Sequence, residues 1–176
     1  MSILTKAFGI IKESLESAIY IKEDNTTHFL VDMFHSHTSQ TKREQILATF
    51  ATPKSPLRCV LATVAFGLGI DVRDVRRVVH WGPSNDLLSY WQEVGRCARD
   101  GLPGKAHMYL YPGSVNTAYI KPCMLSLVDC NKQKRCLRKR VLEHLFVKGT
   151  NESVTPDVCI MASCCSVCDG NRVTDK

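Results

Sequence analysis

Two arginines three residues apart, Arg96 and Arg99, lie in the segment Gln92-Glu-Val-Gly-Arg-Cys-Ala-Arg-Asp-Gly101. A guanidinium group is always charged and donates hydrogen bonds in a planar fork, so such a pair suits a phosphate held by another segment. If the helix that starts near Asp86 runs through this segment, Gln92, Arg96 and Arg99 fall at i, i+4 and i+7. They then form a polar stripe opposite Leu88, Trp91 and Val94. The plainer alternative is a solvated basic face. A second segment, Ala62-Thr-Val-Ala-Phe-Gly-Leu-Gly-Ile-Asp71, follows a buried run and contains Gly67 and Gly69. Glycines let backbone approach a phosphate or a nucleic-acid strand, with a hydroxyl from Thr63 and a carboxylate from Asp71 close by. An ordinary strand-to-helix loop fits the same spacing.

The third group is the cysteines. Cys59 and Cys97 are scattered, whereas Cys123, Cys130, Cys136, Cys159, Cys164, Cys165 and Cys168 lie in the last third. Nine cysteines in a chain whose start lacks a basic region and a clean apolar stretch are read as metal ligands and buried thiols rather than disulfides. A Cys-x₂-Cys knuckle plus a distant cysteine in a basic helix suits a four-thiolate zinc site, and a cluster of buried or free thiols is the alternative.

The elements that must position these groups follow from periodicity. Phe8, Ile11, Leu15 and Ile19 recur at helical spacing. Phe29 to Phe34 is an apolar run of strand length, and Thr41 to Glu44 has capping-box spacing ahead of a helix to about Phe50. Arg58 to Thr63, Val75 to Trp81 and Ala106 to Tyr111 read as strands. Asp86 to Arg96 reads as a helix, and Asn131 to Phe146 is helical and dense in Lys and Arg. Strands alternating with helices imply a mostly parallel sheet that binds ligands at the carboxyl ends of its strands. Composition shifts near residue 115.

The 176 residues suffice for one domain with a small appendage, and 44% hydrophobic with 23% charged residues implies a packed core. No apolar run approaches bilayer-spanning length, so no membrane partner is expected. A net charge of +6 suits a polyanion without proving one. The basic run from Lys132 to Arg140 reads as a nuclear signal, a DNA-phosphate contact or a solvated helix face.

Taken together, Ala62 to Asp71 and Gln92 to Gly101 resemble motifs V and VI of superfamily-2 helicases, specifically the RecQ DNA helicases. Their patterns are A-T-x-A-F-G-M-G-[IV]-D and Q-E-x-G-R-A-G-R-D-G, and the intervening Val75 to His80 also fits. Gln92-Glu93 favours the DNA-unwinding branch over the H-R-x-G-R-x-x-R form usual in RNA helicases. The resemblance implies an α/β fold: a RecA-like parallel sheet flanked by helices over residues 1–115, then a helical zinc-binding subdomain over 116–170. It implies that Arg96 and Arg99 stabilise charge on the transferring phosphoryl group. Gln92, Asp71 and Gly95 would line the ATP cleft, and Thr63 and Gly67 would touch the tracking DNA strand. His35, in Phe34-His-Ser-His37, is a candidate DNA contact or a polar strand-end histidine. Ala98 departs from the family glycine, and a methyl there is tolerable on a helix. Cys136, Cys164, Cys165 and Cys168 match the RecQ zinc module, with Cys159 able to replace Cys164.

The implied cofactors are ATP with magnesium, shared with a first lobe, and structural zinc. The implied partners are single-stranded or forked DNA and that first lobe. No Walker A loop is found, and the chain is expected to begin inside the second lobe, without its opening strand. The isolated chain is therefore expected to be inactive, the complete motor to unwind DNA 3′ to 5′ in recombination and repair, and its location to be nuclear or cytoplasmic, with the nucleus favoured. Two rivals are a non-catalytic nucleic-acid-binding or regulatory zinc module and an RNA helicase lobe.

Overall fold

The computed structural model describes residues 3–23, 26–52, 54–63, 72–145 and 164–173, with only the backbone of Lys22, Glu23, Thr26, Thr27 and 170–173. The chain forms two compact units, residues 1–74 and 75–176.

The first unit runs α1 (Ile3–Leu15), a 3₁₀ turn (Glu16–Ile19), β1 (Tyr20–Glu23), β2 (Thr26–Phe29), β3 (Val31–Phe34), α2 (Gln40–Ala51) and β4 (Cys59–Ala62). The helix expected over Phe8 to Ile19 starts earlier and tightens after Leu15. The apolar run Phe29 to Phe34 is two strands rather than one, because Leu30 exchanges partners. Its N–H donates to the Ile19 carbonyl at 2.9 Å, while its own carbonyl accepts from Arg58 and Cys59 at 2.8 and 2.9 Å. β2 thus pairs antiparallel with β1, and β3 pairs parallel with β4. The cap of α2 falls at Ser39, two residues before the expected Thr41; the Ser39 hydroxyl accepts from the Lys42 N–H at 3.4 Å. Phe34, Ile46 and Leu57 are buried together, with Phe50 and Val60 against them, and this fixes α2 on the β3–β4 pair.

The second unit contains β5 (Arg77–Trp81), α3 (Leu87–Val94), β6 (Lys105–Tyr109), α4 (Pro122–Lys132), α5 (Leu137–Leu145) and α6 (Ser166–Val173). β5 and β6 are parallel, with Val79 opposite His107 and Trp81 opposite Tyr109. Alternation along β5 turns Val78 and His80 inward and leaves Arg77, Val79 and Trp81 exposed. Asp86 caps α3 by accepting the Ser89 N–H at 2.8 Å. That hydrogen bond chiefly holds the Asp86 carboxyl below its ordinary pKa; burial opposes it and Lys121 reinforces it.

Leu87, Ile120, Met124, Leu127 and Val141 form the core of this unit, with Tyr90 and Met108 packed against it. The α4–α5 hairpin therefore shares a core with α3. Leu88 and Trp91, expected on the apolar side of α3, are exposed, because the buried side is set by Leu87 and Tyr90. The expected helical stretch from Asn131 to Phe146 is broken between α4 and α5. Lys134 has φ +52, and the Arg135 N–H closes α4 by donating to the Cys130 carbonyl at 2.9 Å.

The expected mostly parallel sheet is realised among the described residues as three two-stranded sheets, two parallel and one antiparallel. The α/β character holds, and the regular elements among the described residues of the last third are helices.

Candidate functional site

In the second unit, α3 ends at Val94, and Gly95 to Asp100 form a succession of turns. The expected helical stripe of Gln92, Arg96 and Arg99 is therefore not formed. Gln92 sits exposed on the last turn of α3, and both arginines lie beyond the helix. The Cys97 N–H donates to the Val94 carbonyl at 3.0 Å, and the Ala98 N–H leaves the local turns to donate to the Val75 carbonyl at 2.9 Å. That crossing forces Ala98 to φ +60 and Gly101 to φ +82. The expectation that the Ala98 methyl rests on a helix is thus corrected: it occupies a left-handed position that favours glycine. The turn packs closely on Gly104, where a Cβ would stand 2.4 Å from the Cys97 Sγ and 3.0 Å from the Ala98 Cβ.

The arginine turn is tied at its start to β5 and at its far end to Arg76, the residue just before β5. At its start, Glu93 accepts from His80 Nε2 at 2.8 Å and from the Ser84 hydroxyl at 2.6 Å. His80 Nδ1 is buried with no hydrogen-bond partner among the described residues, which assigns the shared proton to Nε2. Burial pushes the Glu93 carboxyl up. The hydrogen bonds from His80 and Ser84 and the charges of His80 and Arg96 more than offset this, leaving Glu93 below its ordinary value. At the far end, Arg76 pairs with Asp100.

Arg99 donates from Nε to the Gly95 carbonyl at 3.1 Å, so it curls back over the end of α3. Arg96 is held below the ordinary arginine pKa by burial first and then by the like charge of Arg99, partly offset by Glu93. Two guanidinium groups close enough to repel one another suit an anion, whose charge relieves that repulsion. Glu93, His80, Ser84, Arg76 and Asp100 were not singled out as site residues. Glu93 and Asp100 were visible only as neighbours of the arginines.

In the first unit, the parallel pairing of β3 and β4 sets Phe34 opposite Ala62, and the Thr63 N–H donates to the Phe34 carbonyl at 3.1 Å. His35 and Thr63 thus emerge at the same, carboxyl end of two adjacent strands, with Thr63 exposed and His35 half-buried. The His35 turn is held by Arg43, which was also missed. Its guanidinium donates to the carbonyls of Thr38, His35 and Ser36 at 2.8, 3.3 and 2.5 Å and lies over the Phe34 ring. His35 Nδ1 accepts the His37 N–H at 3.2 Å, which leaves Nε2 as the proton-bearing nitrogen when the ring is neutral. Gly67 and Asp71 lie outside the described residues.

The sulfurs of Cys136, Cys164, Cys165 and Cys168 all lie within 4.8 Å of one another. Zinc–thiolate bonds of about 2.3 Å in a tetrahedron require sulfurs roughly 3.8 Å apart. Cys136 and Cys164 stand 3.6 Å apart, so the set fits a tetrahedral soft cation. Cys136 does not sit within its helix, as expected, but one residue ahead of α5, where its sulfur accepts the Lys139 N–H at 3.4 Å. Cys165 likewise precedes α6, and its carbonyl accepts the Asp169 N–H at 2.9 Å. Helix N-termini favour thiolates. Without a cation the crowd resists ionisation: burial and then the neighbouring Cys136 push Cys164 up to about 12. Cys159 lies outside the described residues. Among those residues, no helix is long and apolar enough to cross a membrane.

Residues 7–101 match the family model of the helicase conserved C-terminal domain. The mouse bifunctional 3′-5′ exonuclease/ATP-dependent helicase WRN is 29% identical over 77% of this chain and 10% of its own length. The human ATP-dependent DNA helicase Q4 is 45% identical over 43% of this chain and 6% of its own. The ATP-dependent DNA helicase RecQ of Pasteurella multocida is 38% identical over 45% of this chain and 12% of its own. The chain thus spans about a tenth of the length of these relatives.

Proposed function

Because this chain belongs to the helicase conserved C-terminal domain family, as a RecQ-like member of superfamily 2, we propose that it is the arginine-bearing lobe of an ATP-driven, 3′-to-5′ DNA helicase serving recombination and repair. ATP with magnesium, cradled by a first lobe carrying the Walker A loop, supplies the phosphoryl group when bound. This chain's part is to hold Arg96 and Arg99 where negative charge grows on that group. Gln92, Gly95 and Asp71 line the nucleotide side, with Asp71 near the ribose or coupling it to DNA. His35, Thr63 and Gly67 contact the tracking strand of single-stranded or forked DNA.

The observation that carries this reading is the arginine turn itself. It places two guanidinium groups beyond the end of α3, with one end of the turn held by His80 of β5 and the other by Arg76 just before that strand. Nothing in the 176 residues offers the glycine-lysine-hydroxyl loop that would hold the phosphates, so the chain alone should neither hydrolyse ATP nor unwind DNA. Cys136, Cys164, Cys165 and Cys168 hold a structural zinc that stabilises the small helical tail, where apolar burial is limited.

The test is reconstitution. Purified chain, mixed with a RecQ first lobe and single-stranded DNA, should restore ATP turnover that neither part shows alone. Turnover that is absent from the mixture, or present in the chain by itself, would contradict the reading.

A further inference from the structure

We propose that Arg76 and Asp100 are positioning residues, a latch that fixes the direction in which the arginine turn presents Arg99. This rests on the reading that Arg99 meets a phosphate. The backbone of Arg76 is anchored in the sheet, its carbonyl accepting the Lys105 N–H at 2.9 Å. From there its side chain crosses to the far end of the turn. Nη2 pairs with Asp100 Oδ2, and Nη1 donates to the Leu102 and Pro103 carbonyls at 3.2 and 3.3 Å. Asp100 Oδ1 in turn accepts the Leu102 N–H at 3.1 Å.

This third arginine therefore directs both of its terminal nitrogens at the loop itself. Partial desolvation pushes the Asp100 carboxyl up, but the hydrogen bonds from Arg76 and the Leu102 N–H outweigh this and leave it below its ordinary value. Asp100 directly follows Arg99, and two left-handed positions, Ala98 and Gly101, flank the pair. Such a turn can swing about those positions unless its end is tied down. The ion pair alone is too exposed to count for much in stability. Its effect is on direction, because a guanidinium misplaced by about 1 Å can cost about a hundredfold in rate.

Two measurements on the full 176-residue chain test the latch. In Arg76→Ala and in Asp100→Ala, amide exchange at Ala98 and Gly101 should quicken about tenfold, while exchange in β3 and β4 stays as in wild type. Arg76→Lys, which keeps the charge and loses the fork, should fall between and guards against a misfolded alanine variant. Unchanged exchange at Ala98 in all three overturns the latch.

With an ATP-binding lobe supplied in trans, Arg76→Ala should lower kcat about ten- to a hundredfold with KM for ATP moved less than about threefold. The exchanged pair Arg76→Asp with Asp100→Arg restores the ion pair but not the bonds to Leu102 and Pro103, and should recover part of the loss. If Arg99→Ala abolishes turnover and Arg76→Ala does not touch it, the latch fails and the phosphate reading stands. If Arg99→Ala leaves turnover intact, the phosphate reading fails and takes the latch's catalytic meaning with it.

Discussion

Replacing Ala98 by glycine should be harmless or stabilising, although Ala→Gly is ordinarily a costly change. At φ +60 the Ala98 Cβ crowds its own backbone, a strain of about 1–2 kcal/mol that glycine does not carry. Against that stand the greater freedom of glycine in the unfolded chain, about 0.4–1 kcal/mol, and the loss of one half-buried methyl, less than about 0.8 kcal/mol. The balance runs from a loss of about 0.8 kcal/mol to a gain of about 1.6 kcal/mol, with its middle at a small gain. Ala48 provides the opposite case. It is exposed within α2, where no strain is relieved, and the same change should cost about 1 kcal/mol. Urea unfolding followed by circular dichroism, with each variant read against wild type, should show Ala98→Gly unchanged or more stable and Ala48→Gly less so. If Ala98→Gly costs as much as Ala48→Gly, the left-handed assignment and the account of the turn are both wrong.

Gly104→Ala should cost about 1–3 kcal/mol, because its methyl meets the Cys97 sulfur and the Ala98 methyl, and adding Cys97→Ala should recover part of that loss in the same urea titration. Asp86→Ala should remove about 1 kcal/mol at neutral pH through the lost α3 cap. Asp86 is depressed in the folded chain, so that contribution is complete above its unfolded value near 3.8 and fades as pH falls through the lower folded value; denaturation of both proteins across that range should show their stabilities converging in acid. Purified chain should carry one zinc, and Cys168→Ser should carry none or bind it far more weakly by metal analysis, with chelation melting α5 and α6 in the wild type.

Much of this architecture is legible in the residues. The alternation and apolar runs around Cys59 to Ala62 and Arg77 to Trp81 announce strands, because one face of each must find a core. The arginine pair and the cysteine crowd announce chemistry, because a guanidinium fork suits phosphate and closely spaced thiolates suit a soft cation. What could not be read locally is where helices stop. Apart from Gly95, which caps α3, Gln92 to Asp100 keeps a helical spacing. Its helix ends at Val94 because the Ala98 N–H is claimed by Val75 and Asp100 by Arg76, partners more than twenty residues away. Leu30 shows the same limit: its run of apolar neighbours reads as one strand, but its N–H and its carbonyl serve two different partners. The Cys136 sulfur lies within 4.8 Å of those of the downstream cysteines, yet its place ahead of α5 depends on Lys134 closing the preceding helix with a positive φ.

The central claim is tested most directly by phosphate release from a reconstituted motor: this chain, an ATP-binding lobe and single-stranded DNA under saturating ATP. Arg99→Ala should lower the rate about a thousandfold or more, with Arg99→Lys recovering only a small part because it lacks the planar fork. Release within about threefold of wild type in Arg99→Ala would mean that this arginine faces no reacting phosphate.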